Sequence, residues 1–294
     1  MRGGRGLSET EQLLRAWRDD LAAWAIPQEI LDRAPAAPWA NERALFVRRA
    51  AERARAPRGS SYRRAREALP VGGTVLDVGA GAGAASLPLI DRAAAIVAVD
   101  QDRELLRALI AQAGAASTKV RTVVGTWPAA ATEVAAADVV VCHHVLYNIG
   151  DLWPFVDALA GHARRRTVIE ITASHPVARL SPLWRRFHGL ARPTRPTSED
   201  AAAAVAAIVG AVQVERERLP SDGAAGSWAE LVAFTCRRLC LGPERQADVA
   251  AALTELLGAL PDDPKTWSAP DREVVTIWWD TPSAIAPGSP PQTP

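Results

Sequence analysis

Cysteine is scarce in this chain. Its three cysteines, Cys142, Cys236 and Cys240, form an odd set with no CxxC pair, which argues against a disulfide framework and a zinc ribbon and points to reducing cytoplasm. An excess of charge is lacking too. Thirty-four Lys plus Arg, nearly all of it Arg, stand against 33 Asp plus Glu for a formal net charge of +1. No whole-molecule field therefore gathers polyanions, and a nucleic-acid role needs a local patch. No apolar run approaches the ~20 residues that span a bilayer. The opening Met1 to Gln12 is polar and has no secretory apolar segment, so a soluble, cytoplasmic chain without a membrane partner is expected. No internal repeat is visible. What is present is ordinary globular composition, 48% hydrophobic and 23% charged, over 294 residues. That is room for one large domain with appendages, or two small ones.

Residues 8 to 69 carry apolar positions at helical spacing (Leu13, Leu14, Trp17, Leu21, Trp24, then Leu45, Phe46), broken by Pro27, Pro35, Pro38 and Pro57. The pattern changes at Gly72-Gly73. Apolar runs at 74–78, 95–99, 120–124, 138–142 and 167–171 read as strands, and stretches at 82–91, 103–113 and 152–162 read as helices between them. Five apolar strands alternating with helices predict a buried, mostly parallel α/β sheet with helices on both faces. Downstream, 198–209 reads as helix, 213–219 as strand, 228–240 and 243–260 as helices and 272–279 as a last strand. The expected organisation is a helical N-terminal extension or lid (1–70), a sheet domain (71–280) with a helical insertion at about 221–270, and a Pro/Ser tail (281–294) without order.

The densest chemical signal is Val75-Leu76-Asp77-Val78-Gly79-Ala80-Gly81-Ala82-Gly83, an apolar strand running into a glycine turn. Such glycines let the backbone approach a ligand and adopt positive φ, and a following helix start offers unpaired N–H groups. Gly79, Gly81 and Ala84 also satisfy the dinucleotide pattern GxGxxG/A, so a nicotinamide or flavin enzyme is a rival, as is a plain tight turn. Asp77 weighs against the dinucleotide reading. A carboxylate at the end of a buried strand is costly without a partner, and a ligand bearing an ammonium group supplies one; backbone N–H groups are the structural alternative. Asp100 ends the second strand, 21 residues after Gly79. A carboxylate there accepts hydrogen bonds from a ribose diol, and Asp100 or Asp102 also suits capping of the next helix.

Through Asp77 to Gly83, Asp100 and the strand-end segment Asp138 to Asn148, the sequence resembles the class I S-adenosylmethionine-dependent methyltransferases, well over 71–172. The resemblance implies a Rossmann-like, seven-stranded, mostly parallel sheet whose last strand is reversed. It also implies that Asp77, Gly79, Gly81 and Gly83 hold the methionine end of S-adenosylmethionine, Asp100 the ribose and Gln101 an adenine edge. The family often has an acid after the third strand, where this chain has Gly125-Thr126-Trp127-Pro128. Thr126 is the substitute hydrogen-bonding partner, and Trp127 is either a cover for the ring or a core aromatic.

The fourth strand ends Val141-Cys142-His143-His144-Val145-Leu146-Tyr147-Asn148, and in parallel sheets ligands sit beyond the carboxyl ends of strands. His144 is the preferred candidate for removing a proton from a hydroxyl acceptor, with Tyr147 as the second candidate catalytic side chain and His143 turned toward the cofactor. Adjacent residues on an extended strand point opposite ways, so one histidine at most faces the nucleophile, and either is equally suited to packing. No residues have metal-ligand spacing, so no metal is expected. Cys142 lacks the Pro-Cys context of a cytosine-directed nucleophile, and no Asn/Asp-Pro-Pro-Tyr run is present. Between His162 and Pro196 there are eight arginines and one acid, Glu170. Arg179, Arg185, Arg186, Arg192 and Arg195, with Trp184, Phe187 and His188 among them, suit an anionic aromatic substrate or RNA, or else a solvated helix face. A small-molecule acceptor is favoured, with RNA methylation and a non-catalytic cofactor-binding protein as alternatives.

Overall fold

The computed structural model describes residues 8–39, 43–114, 116–220, 227–258 and 271–282. Seven strands, β1 (Gly73–Val78), β2 (Ala93–Asp100), β3 (Lys119–Val124), β4 (Ala137–His143), β5 (Ala163–Thr172), β6 (Gln213–Leu219) and β7 (Arg272–Asp280), form one sheet. Their order is β3-β2-β1-β4-β5-β7-β6. The first five run parallel, and β7 runs antiparallel to both β5 and β6. The last strand is reversed as expected, and it lies between its two predecessors rather than at the edge. The chain order changes direction between β1 and β4, and in open α/β sheets that point is where a crevice opens beyond the strand ends.

Strand alternation sorts the core into two faces. Leu76, Val140, Cys142, Ile169, Ile171, Val275 and Ile277 pack with α1 (Glu9–Ala22), α6 (Leu152–His162) and α8 (Ser198–Val209) through Trp17, Phe155, Leu159 and Val205. Val75, Val139, Val141 and Val168 face the other way, onto Ala65 and Leu69 at the end of α4 (Ser60–Ala68). The central strands are covered on both faces. The outer strands β3 and β6 alternate between exposed and half-buried residues with one buried residue each, so β3 is not the buried strand its sequence suggests.

The remaining helices complete the layers. Helix α2 (Gln28–Leu31) and α3 (Arg43–Arg55) precede α4, and α5 (Arg103–Ala113) follows β2. α3 lays Phe46, Val47 and Ala50 against Ala82, Ala84, Leu87 and Leu105, on the glycine turn and α5. After β5 come α7 (Ser181–His188) and, between β6 and β7, α9 (Trp228–Arg238) and α10 (Gln246–Leu257). Ile30, Leu183, Trp184, Val232, Cys236, Leu239, Val249 and Leu253 join α2, α7, α9 and α10 in a second, smaller core. Helices α9 and α10 thus lie between β6 and β7, while 221–226 and 259–270 of the expected insertion, and 283–294 of the tail, lie outside the described residues.

One expected element is absent. The stretch 82–91 forms turns and a 3-10 segment, Leu87–Leu89, instead of an α-helix. Gly83 has φ +91°, and Pro88 has no N–H to give the carbonyl one turn back, so a regular ladder cannot propagate. The expected helix at 243–260 likewise opens as a 3-10 turn, Pro243–Arg245. No helix among the described residues is long and apolar enough to cross a membrane.

Candidate cofactor and acceptor site

The turn after β1 is bound to the end of β2. Gly79 and Ala80 both donate backbone N–H groups to the Val99 carbonyl, at 2.9 and 3.1 Å. Gly81 donates to Asp100 Oδ2 at 2.8 Å, and Asp102 donates its own N–H to Asp100 Oδ1 at 2.8 Å. Asp100 therefore clamps the glycine turn with both oxygens, each keeping a further lone pair. Helix capping belongs to Asp102, which accepts from the N–H groups of Glu104 and Leu105 and also meets Arg43 of α3 at 2.8 Å.

At Gly79 (φ +71°) a Cβ would stand 2.3 Å from Cγ2 of Val145, so only glycine lets the segment after β4 close onto the turn. Gly81 (φ +52°) has no atom nearer than Leu105 Cδ1, at 4.0 Å from where a Cβ would be, and so leaves open space beside its N–H. The tips of β1, β2 and β4 consequently lie side by side. Gln101 and Thr126 are exposed at the tips of β2 and β3, and Gly125 N–H donates to the Asp100 carbonyl at 3.0 Å.

Asp77 is buried beneath this turn. Ser86 Oγ donates to its Oδ2 at 2.6 Å, and Oδ1 is buried without a hydrogen-bond partner. Burial pushes the carboxyl up to about 7; the Ser86 hydrogen bond opposes that rise, and the charge of Asp100 adds to it. The charge of Asp100, the other acid predicted to frame a ligand, thus acts on Asp77.

At the tip of β4 alternation fails. His144 is in the left-handed region, φ 59°, and its backbone N–H donates to the Glu170 carbonyl at 2.6 Å. Its Nε2 lies 3.0 Å from Glu170 Oε1. Glu170 is 1% exposed and also accepts from Ser61 Oγ, with Arg53 at 3.5 Å. Its own burial would raise the carboxyl, but the His144 hydrogen bond and the charges of His143, His144 and Arg53 hold it well below the ordinary value. His144 is pushed down from the usual imidazole value, first by burial and then by Arg272 and Arg53, against the Glu170 hydrogen bond. A neutral ring with Nε2–H on Glu170 leaves Nδ1 as the proton acceptor. His143, lowered to about 4 chiefly by burial, has a buried Nε2 without a partner, and it too acts on Glu170. Both histidines therefore lie within reach of one carboxylate, where strand geometry predicts opposite directions.

Two candidate site residues lie in the core, which for Trp127 is one of the two readings its sequence allowed. Trp127 is 8% exposed, donates its indole N–H to the Phe155 carbonyl at 3.2 Å and meets His162 edge-on, so it does not cover a ligand. Tyr147 is 6% exposed, donates its hydroxyl to the Thr172 carbonyl at 2.9 Å and stacks on Trp17. Burial raises its phenol, which removes it from the candidates for proton transfer. Cys142 is fully buried with its thiol pushed up, as befits a packing residue.

Sequence reasoning missed Glu170 as a functional residue, together with Ser61 and Arg53. Its signal was available: an acid inside the apolar run Thr167 to Ile171, the same kind of anomaly that singled out Asp77. The arginine-rich stretch is largely used internally. Arg186 pairs with Glu255 at 2.5 Å, and Arg195 with Asp20 and Asp200. Arg192 lies over the rings of Trp24 and Trp184 and donates to backbone carbonyls of Trp24 and Ala25. Arg164 and Arg166 pair with Asp138 and Asp280.

Residues 75–165 match the family model described as a methyltransferase domain. Among solved structures, YcgJ from Bacillus subtilis has 18% identity and a TM-score of 0.50, over 76% of this chain and 97% of that one. A cyclopropane-fatty-acyl-phospholipid synthase-like protein from Lactobacillus casei has 16% identity and a TM-score of 0.47, over 86% and 98%. Magnesium protoporphyrin IX methyltransferase from Synechocystis, solved with bound S-adenosylhomocysteine, has 13% identity and a TM-score of 0.43, over 94% and 89%. No curated protein matches the chain. The sheet order and the glycine turn accord with the methyltransferase-domain match over residues 75–165.

Proposed function

We propose that the chain transfers a methyl group from S-adenosylmethionine to a small-molecule acceptor whose proton is taken by His144. The observation that carries this reading is the His144–Glu170 pair, 3.0 Å apart, at the strand tip that Val145 presses against the glycine turn. The cofactor fits the residues present. The orphaned Oδ1 of Asp77 calls for a cationic donor, and Gly79 to Gly83 leave the backbone open to one. Asp77 would take the amino group, Asp100 the ribose hydroxyls on its remaining lone pairs, and Gln101 and Thr126 the adenine edges. When bound, the cofactor supplies an electrophilic methyl on a sulfonium.

The chain's own residues then orient and deprotonate. Asp100 fixes the turn through Gly81, which sets the donor's position relative to β4. Glu170 holds His144 in the tautomer whose Nδ1 accepts the acceptor's proton, and its charge stabilises the imidazolium that results. Ser61 and Arg53 keep Glu170 ionised and fixed. The RNA alternative loses support because three of the five arginines that follow β5 before Pro196, Arg186, Arg192 and Arg195, are committed to internal partners.

Calorimetric titration with S-adenosylhomocysteine against NADH tests the cofactor assignment. Binding of the former alone is expected, and tight NADH binding contradicts it. Asp77→Asn should weaken S-adenosylhomocysteine at least tenfold; unchanged affinity removes Asp77 from its role. Turnover of hydroxyl and amine acceptors that collapses in His144→Gln supports the base, whereas binding without any turnover supports a sensor.

A further inference from the structure

Pairing between β4 and β5 stops one residue short of the candidate base. His143 opposite Glu170 is the last pair of that ladder, and the bond from the His144 N–H to the Glu170 carbonyl closes it. His144 itself takes φ 59°, a backbone conformation that residues other than glycine hold only where the surroundings over-determine it. Beyond it the chain enters a 3-10 turn, Leu146–Asn148, while β5 ends at Thr172. Two segments that leave a ladder part from each other unless side chains join them.

Tyr147 supplies that join. Three residues past His144, its hydroxyl donates at 2.9 Å to the carbonyl of Thr172, two residues past Glu170. Burial raises the phenol, so the hydroxyl stays a donor. Its ring stacks on Trp17 of α1, with centroids 5.8 Å and planes 18° apart. Trp17 is 1% exposed and donates its indole N–H to the Ile149 carbonyl at 2.8 Å, so α1 also holds the far end of the turn. On the β5 side His175 meets Tyr147 edge-on at 5.3 Å and stacks on Trp24, two residues beyond α1, at 4.1 Å. Trp17 and Trp24 thus hold the segment after His144 and the segment after Glu170 respectively. Glu170 is met by Ser61 of α4, whereas Tyr147 packs in the core that contains α1, so the tip of β4 is gripped from both faces of the sheet.

We propose that Tyr147 is a positioning residue for proton transfer: backed by Trp17, its hydroxyl ties the segment bearing His144 to the segment bearing Glu170, which keeps His144 Nε2 on that carboxylate and Nδ1 free for the acceptor. The role in proton transfer rests on the reading of His144 as the base; the tie itself does not. Proton transfer from a bound acceptor depends on the direction of the ring as much as on its presence, and a small displacement of the tip turns Nδ1 away. Helix α1, distant in sequence from every candidate site residue, is on this account part of the scaffold of the acceptor side.

The test is nitrogen NMR of the histidine rings in the full chain, with His144 assigned by its loss in His144→Gln, on wild type, Tyr147→Phe and Trp17→Phe. Tyr147→Phe removes one oxygen and keeps the stack. Wild type is expected to show His144 as the Nε2–H tautomer alone, and Tyr147→Phe a mixture of both tautomers, with a smaller change of the same kind in Trp17→Phe. Val205→Ala, in the same core but on α8, is the control: it should lower the thermal midpoint and leave the tautomer as in wild type. A wild type that already mixes tautomers, a single Nε2–H tautomer in both Tyr147→Phe and Trp17→Phe, or an equal mixture in Val205→Ala overturns the tie. With an acceptor that turns over, Tyr147→Phe should lower kcat about tenfold or more while S-adenosylhomocysteine affinity is unchanged. A tautomer mixture in Tyr147→Phe with kcat unchanged would instead leave the tie standing and remove His144 from the role of base.

Discussion

Asp77 places function and stability in opposition at a single side chain. A carboxyl of usual pKa near ~3.9 in the unfolded chain is raised to about 7 by burial in the fold. Its contribution to stability is therefore complete below the unfolded value and is lost as pH rises through the folded one. Replacing it by Asn, which keeps a partner for Ser86, should raise the thermal stability of the cofactor-free protein at pH 8, by roughly 1–3 kcal/mol. The same variant loses the charge proposed to receive the cofactor's ammonium group. Wild-type affinity for S-adenosylhomocysteine should accordingly fall as pH drops below about 7, and Asp77→Asn should bind weakly with little pH dependence. A wild-type affinity that is flat across this range contradicts the assignment. For His144, lowered from the ordinary imidazole value, the acceptor form prevails at neutral pH and the rate should fall only on the acid side. His144→Gln should cost ~10²–10⁴ in kcat with a smaller effect on cofactor affinity.

Helix α3 joins both halves of the site. At its start Arg43 meets Asp102 beside the tip of β2, one turn on Phe46 and Val47 cover the glycine turn, and near its end Arg53 reaches Glu170. The Arg43–Asp102 pair is exposed, so Arg43→Ala should change stability by less than about 1 kcal/mol. It should nonetheless speed dissociation of S-adenosylhomocysteine in stopped-flow, because it frees one end of the cover; an unchanged rate denies α3 that role. Elements with uninterrupted patterns were legible from sequence: α5, α6, α8 and β6 begin and end where their periodicity predicts. The stretch 82–91 was not, because glycine φ and Pro88 override its apolar spacing. Nor was the pairing of Ser61 with Glu170, separated by 109 residues, since no local pattern encodes a contact made only when α4 lies on β5. Between the two readings of Trp127, and for Tyr147, sequence could not decide, because each turns its polar atom toward a backbone carbonyl that only the fold supplies, Phe155 and Thr172.

On the scale of the molecule, two cores divide the labour. The sheet and its flanking helices carry the cleft, while α2, α7, α9 and α10 form a smaller core around residues such as Leu183 and Leu253. Leu253→Ala should destabilise by ~2–5 kcal/mol, the usual cost of a cavity, and hydrogen exchange should rise first in α9 and α10. Protection lost equally from β1 to β5 would show that the two cores unfold as one. The central claim concerns the crevice where the tips of β1, β2 and β4 meet, and the crystal structure with S-adenosylhomocysteine tests it most directly. The account predicts the ligand's amino group within hydrogen-bond distance of Asp77 Oδ1, its ribose on Asp100 and its sulfur toward His144. A ligand seated elsewhere, or Asp77 Oδ1 still without a partner in that complex, would contradict it.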